Sequence, residues 1–156
     1  MKLAIVGSGP ELPKLEANSR RLGLEGHCVF VASTWSVPDY LRSFDLYVSC
    51  SISEAFSNTI LEAMACGCCA VGSRVGGTPE LIGNDERGLL FRSGDADDLA
   101  AKLATLIEND SLRRAFSMRA AEFAERKFNI EIAANRMAEI YENALHRKAA
   151  EHRISG

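Results

Sequence analysis

The chain has 156 residues, of which 47% are hydrophobic and 25% charged, the make-up of one ordinary globular domain. A formal net charge of −3 argues against nucleic acid or a membrane surface as the main partner. No apolar run approaches the roughly 20 residues needed for an integral membrane segment, and five cysteines without a secretory segment before them predict a reduced, cytoplasmic setting.

Lys2 to Val6 is a short apolar run that stops at Gly7-Ser8-Gly9-Pro10, which predicts a buried strand and a tight turn. A helix follows from about Leu12 to Leu22, with Leu12, Leu15, Ser19 and Leu22 near one face. Gly23 ends it, and Cys28 to Val31 is the second strand. The polar loop Ser33-Thr34-Trp35-Ser36 holds the single tryptophan, and Pro38 then starts a short helix to about Ser43. Leu46 to Cys50 is the third strand. The next stretch runs through Glu54-Ala55-Phe56 and the polar Ser57-Asn58-Thr59 into a helix that ends near Ala65 and Gly67.

Cys69 to Gly72 is the fourth strand, closed by Val75-Gly76-Gly77, and Thr78 is expected to cap one more helical turn. Gly88 to Phe91 is a fifth strand. Beyond it the pattern is helical: Asp95 is an N-cap, Asp110 and Ser111 start a second helix, and Asn129 starts a third. The third helix carries an apolar stripe of Ile132, Ala133, Met137, Ile140, Tyr141 and Leu145, and a charged tail from Arg147 to Gly156 is expected to fray.

Short strands alternating with helices predict an α/β, Rossmann-like doubly wound parallel sheet with C-terminal helices, a single domain over residues 1–156. In such sheets ligands bind beyond the carboxyl ends of the strands. Gly7–Gly9, Ser33–Ser36, Ser51–Asn58 and Ser73–Thr78 all fall there and are expected to share one cleft. The helix start at Ser57-Asn58-Thr59 offers unpaired N–H groups and a dipole suited to an anion. Thr59 and Glu62 also fit a capping box, Thr-x-x-Glu, which is the plain structural reading of Glu62. Cys66, Cys68 and Cys69 have neither a nearby His nor a second cysteine pair, so they match zinc spacing poorly. They, Cys28 and Cys50 are expected to be small buried thiols, and no metal site is predicted.

Together, ISEAFSNTILEAMACGCCAV, VGGTPELI, RGLLF and GDADDLAAKL resemble the carboxyl-terminal, donor-binding domain of retaining glycosyltransferases of the two-domain GT-B fold, the glycosyltransferase group 1 family. The resemblance runs from about Leu3 to Tyr141, and its signature is the pair Glu54 and Glu62 with seven residues between them. It implies transfer of a hexose from a UDP-, GDP- or ADP-sugar to an acceptor with retention of configuration, without a cofactor. Glu54 is then the candidate catalytic residue, binding the donor sugar's hydroxyls in a positioning role, with a nucleophilic role as the alternative. Backbone N–H groups of Ala55, Phe56 and Ser57 would face the sugar, Asn58, Thr59 and Ile60 the diphosphate, and Glu62 the ribose. Ser33, Thr34 and Trp35 correspond to the base-binding loop, where Trp35 either stacks on the base or fills an apolar gap.

The sequence also departs from the family pattern, which usually has proline at Cys50, glycine at Ala55 and proline at Cys69. The Ala55 methyl stands where backbone approaches the sugar and is expected to narrow the donor range. Family members carry a strand–helix unit before the one matching Lys2 to Val6, and its Arg and Lys clamp the diphosphate. Here Arg74 is the one basic side chain beside the expected diphosphate position. The resemblance therefore implies a truncated family domain, weak or inactive without its acceptor domain. Two alternatives stand beside it. One is a non-catalytic nucleotide-binding or assembly module that pairs with a missing acceptor domain, or with itself, through the last helix. The other is a sugar-nucleotide epimerase fragment.

Overall fold

The computed structural model describes residues 1–154, and of residue 145 and residues 147–154 the backbone alone. Leu145, placed on the apolar stripe above, and the end of the charged tail therefore lie outside the described side chains. The chain divides into two compact units, Met1–Tyr40 and Leu41–Gly156.

In the first unit the apolar runs become β1 (Leu3–Val6) and β2 (Cys28–Val31), paired in parallel with Leu3 opposite Cys28 and Val6 opposite Val31. The crossover is α1 (Leu12–Arg21), which has Pro13 in its first turn, where no N–H partner is lost. Its expected apolar face is only partly covered. Ser19 is buried, whereas Leu15 and Leu22 are exposed, because a two-stranded sheet offers little surface to pack against.

The division falls within α2 (Val37–Ser43). In the second unit, β3 (Leu46–Ser49), β4 (Cys69–Ser73) and β5 (Gly88–Phe91) form a parallel sheet in the order β3-β4-β5. The expectation of one continuous sheet thus becomes two ladders, with β2 and β3 in different ones. Between the strands lie α3 (Asn58–Ala65) and α4 (Thr78–Ile82). After them come α5 (Ala96–Glu108), α6 (Asp110–Phe128) and α7 (Ile130–Ile154).

Every residue of β4 and β5 is buried, as expected of parallel strands covered on both faces. The strand period of two splits their side chains. Ala70 and Leu90 join Ile60 and Met64 of α3, Leu81 and Ile82 of α4, and Ala120 and Ala124 of α6. Cys69, Val71, Leu89 and Phe91 face the other way, onto Leu106 of α5 and Phe116 of α6. Helices therefore cover both faces of this sheet, the doubly wound arrangement. A wholly buried side chain such as Ile60 contributes about 1.5–3 kcal/mol to this core.

The helix boundaries follow their caps. Asp95 accepts the N–H of Asp98 at the start of α5, and Asn129 accepts that of Glu131 at the start of α7. Thr78 does not cap α4. The N-cap is Gly77, and the Thr78 hydroxyl is buried with no hydrogen-bond partner. On α7, Met137, Ile140 and Tyr141 are exposed while Ile132 is half-buried. No helix among the described residues is long and apolar enough to cross a membrane.

Candidate functional site

The start of α3 is organised by hydroxyl groups. Ser57 has extended backbone (φ −87°, ψ 103°) and is the N-cap, its Oγ accepting the Ile60 N–H at 3.4 Å. Thr59 Oγ1 lies 3.2 Å from Ser57 Oγ, and the Tyr47 hydroxyl of β3 donates to Thr59 Oγ1 at 2.8 Å. The Thr59–Glu62 capping box is therefore not formed. The helix begins two residues earlier than that box requires, and Thr59 is engaged by Tyr47 instead. Glu62 is left exposed in the second turn, free of any capping duty. The N–H groups of Asn58 and Thr59 belong to the helix end that has no intrahelical acceptors.

The loop carrying Glu54 is held by the glycine turn after β4. Gly77 donates its N–H to the Ala55 carbonyl at 2.9 Å. A Cβ on Gly77 would lie 2.6 Å from the same oxygen and 3.2 Å from the Phe56 ring, and one on Gly76 would overlap the Glu54 carbonyl oxygen. Gly76 also has φ +46°, the left-handed region in which glycine is least strained. Two glycines are needed here because backbone lies directly on backbone. Just below, Ser73 Oγ donates to the Ser51 carbonyl at 2.6 Å and ties the end of β4 to the start of the loop.

Glu54 is half-buried, while Ala55, Phe56, Asn58 and Thr59 are exposed and Ser57 and Ile60 are buried. Both carboxylates are felt by Tyr47. Burial first, and then the negative charges of Glu62 and Glu54, raise its phenol above the usual 10, although the hydrogen bond to Thr59 opposes this. Tyr47 thus stays a neutral donor. The assembly presents a helix start, a half-buried carboxylate on a loop seated against two glycines, and an exposed carboxylate on the helix. It suits a ligand with an anionic group and flanking hydroxyls.

Within this unit the structure brings together the Ser51–Asn58 and Ser73–Thr78 segments. Ser33, Thr34 and Trp35 belong to the first unit. There Ser33 Oγ lies 2.9 Å from Ser8 Oγ, Thr34 Oγ1 accepts the Ser36 N–H at 3.1 Å, and Trp35 is fully exposed. Cys68 and Cys69 are buried thiols, pushed up to about 12 and about 11 chiefly by that burial, and Cys68 donates to the Phe44 carbonyl. Cys50 is exposed, contrary to its apolar run, because β3 ends at Ser49 and it opens the loop; Cys28 and Cys66 are half-buried. No group of three potential metal-ligating His, Cys, Asp or Glu residues occurs among the described residues. Sequence reasoning missed Tyr47, whose only signal was its place on the strand leading into the loop. It also missed the packing of Phe56 on Phe128.

Comparison with known proteins then gives concordant findings. The family described as glycosyl transferases group 1 matches residues 1–123. N-acetyl-alpha-D-glucosaminyl L-malate synthase of Bacillus anthracis is 33% identical over 144 residues, covering 92% of this chain and 38% of that protein. Among solved structures, Anabaena Alr3699/HepE in complex with UDP superposes with a TM-score of 0.87 at 27% identity, over 92% of this chain and 41% of that one. The C-terminal domain of a glycosyl transferase group 1 family protein from Francisella tularensis gives 0.76 at 27% identity, over 83% and 70%. The chain thus spans about two fifths of the full-length relatives it matches.

Proposed function

The chain belongs to the glycosyl transferases group 1 family, and from that premise we propose that it is the donor-binding part of a retaining sugar transferase. Its substrate is a nucleotide diphosphate sugar, and UDP-sugars are the first choice because the Anabaena structures hold UDP and UDP-glucose. The observation that carries this reading is the clamped loop at the start of α3. In support of it, the Gly77 N–H holds the Ala55 carbonyl next to half-buried Glu54, Ser57 caps the helix start, and Glu62 is exposed on that helix.

In mechanistic terms the departing diphosphate must be stabilised as the glycosidic bond breaks, which is an electrostatic task. The start of α3 supplies part of it through the N–H groups of Asn58 and Thr59 and the dipole. Glu54 accepts hydrogen bonds from sugar hydroxyls and orients the anomeric carbon. Glu62 accepts from the ribose hydroxyls. Glu54 acts here by positioning, with attack and departure on one face of the sugar. The five free thiols support a reducing, cytoplasmic setting. The test is calorimetric titration of the chain with UDP-glucose and a GDP-sugar. Micromolar to millimolar binding that Glu62→Ala weakens is expected, and no binding by the intact chain overturns the reading.

A second reading, an assembly module, is favoured by one observation. Met137, Ile140 and Tyr141 of α7 are 50%, 61% and 62% exposed on the last helix. Under it the chain associates through that face with an acceptor domain or with a second copy. Sedimentation across micromolar to millimolar concentration shows association if this holds, and a strict monomer discards the homo-oligomer.

A further inference from the structure

We propose that Phe128 is a positioning residue for the Glu54–Ser57 loop, acting through the ring of Phe56, an inference that rests on the donor-site reading above. Phe56 follows Ala55 in the clamped loop, and its ring is partly exposed, so what the ring leans on determines how that side of the loop is held. It leans on Phe128, the last residue of α6, with ring centroids 5.5 Å apart and planes at 45°. Phe128 in turn meets Phe123 edge-on at 5.7 Å. Phe123 is covered by the Arg87 guanidinium at 3.9 Å, a cation over an aromatic face.

Arg87 closes the circuit. Its Nε donates to the Leu81 carbonyl at 2.9 Å and its Nη2 to the Glu80 carbonyl at 3.1 Å. Both carbonyls belong to α4, the helix that starts at Thr78 directly after the glycine clamp. The loop is therefore gripped twice: on its backbone by Gly76 and Gly77, and on its ring side by Phe128, with both grips anchored to the same α4–α6 framework. The grips act on Glu54, Ala55 and Phe56 themselves, and it is the N–H groups of residues 55–57 that would face the sugar. Phe128 lies beyond residues 1–123, the part matched by the family, so no role comes to it from there.

The experiment uses the full chain and two readouts. In Phe128→Ala, the amide hydrogen of Gly77, which is bonded to the Ala55 carbonyl, is expected to exchange about two- to tenfold faster, the range an offset aromatic pair supplies, while those of β4 are unchanged. UDP-glucose affinity should fall by the same factor, whereas the affinity for UDP, which lacks the sugar, should hold. Phe128→Tyr keeps the ring and should restore both; Phe128→Leu keeps bulk without the ring and should not. Unchanged exchange at Gly77 overturns the proposal. So does equal weakening of UDP and UDP-glucose, which would mark Phe128 as merely structural. If the wild-type chain binds neither ligand, the donor-site reading falls, and the exchange rates still decide on their own whether Phe128 holds the loop.

Discussion

Gly76→Ala probes the clamp most directly. At φ +46° an alanine costs about 1 kcal/mol more than glycine from backbone conformation alone. Its Cβ would also overlap the Glu54 carbonyl oxygen, and because backbone geometry fixes the Cβ and the oxygen is main chain, no rotamer change relieves the overlap. One loop must move, and the Gly77 N–H to Ala55 carbonyl bond, 2.9 Å in the native chain, is lost with it. That bond is worth about 1 kcal/mol, so the total is about 2–3 kcal/mol, a fall in melting temperature of about 6–12 °C. Gly67→Ala is the control. Gly67 also has positive φ (+74°), but its Cβ would meet nothing within 4 Å, so only the conformational cost of about 1 kcal/mol applies. The assay is a thermal melt by circular dichroism for both variants, with UDP-glucose titrated into each. Gly76→Ala should melt well below Gly67→Ala and lose about tenfold or more in affinity. If the two melt together and both bind as wild type does, the clamp has been misread.

Ser57→Ala removes the acceptor for the Ile60 N–H and should lower stability by about 1 kcal/mol, seen as a shifted urea midpoint at constant m-value. Glu62→Ala should leave stability within about 0.5 kcal/mol, since the residue is exposed and caps nothing. The same variant should reduce UDP affinity about tenfold by calorimetry. Thr78→Val replaces a buried hydroxyl that has no partner with a methyl and should raise stability by about 1 kcal/mol in urea unfolding. The Cys68 and Cys69 thiols have raised folded-state values of about 12 and about 11. Their contribution to stability is complete below the ordinary value of 9 and is lost as pH rises through 11 and 12, because only the unfolded thiols ionise early. Urea unfolding across that alkaline range should show the decline, and Cys68→Ala should flatten it.

Much of this molecule was legible in its residue order. The five strands, the α3 start at Ser57-Asn58-Thr59 and the Asp95 cap follow from apolar runs, glycine stops and side chains that bond within three residues of themselves. These are local interactions, and the chain carries them wherever it goes. The Glu54–Glu62 pair and the Val75-Gly76-Gly77 turn likewise stood out as a pattern, and with them the family.

Long-range packing made the choice where the competing options were locally equal. Thr59 and Ser57 are both acceptable caps, and Tyr47, arriving from β3, engages the Thr59 hydroxyl and leaves Ser57 to cap. That same choice frees Glu62. Leu15 and Leu22 fit a buried stripe, but burial needs a surface to meet, and β1 with β2 is too small to supply one. The seating of Gly77 against Ala55, and of Phe128 against Phe56, joins segments far apart in the chain. Their approach is set by sheet register and helix packing, which no window of neighbouring residues contains.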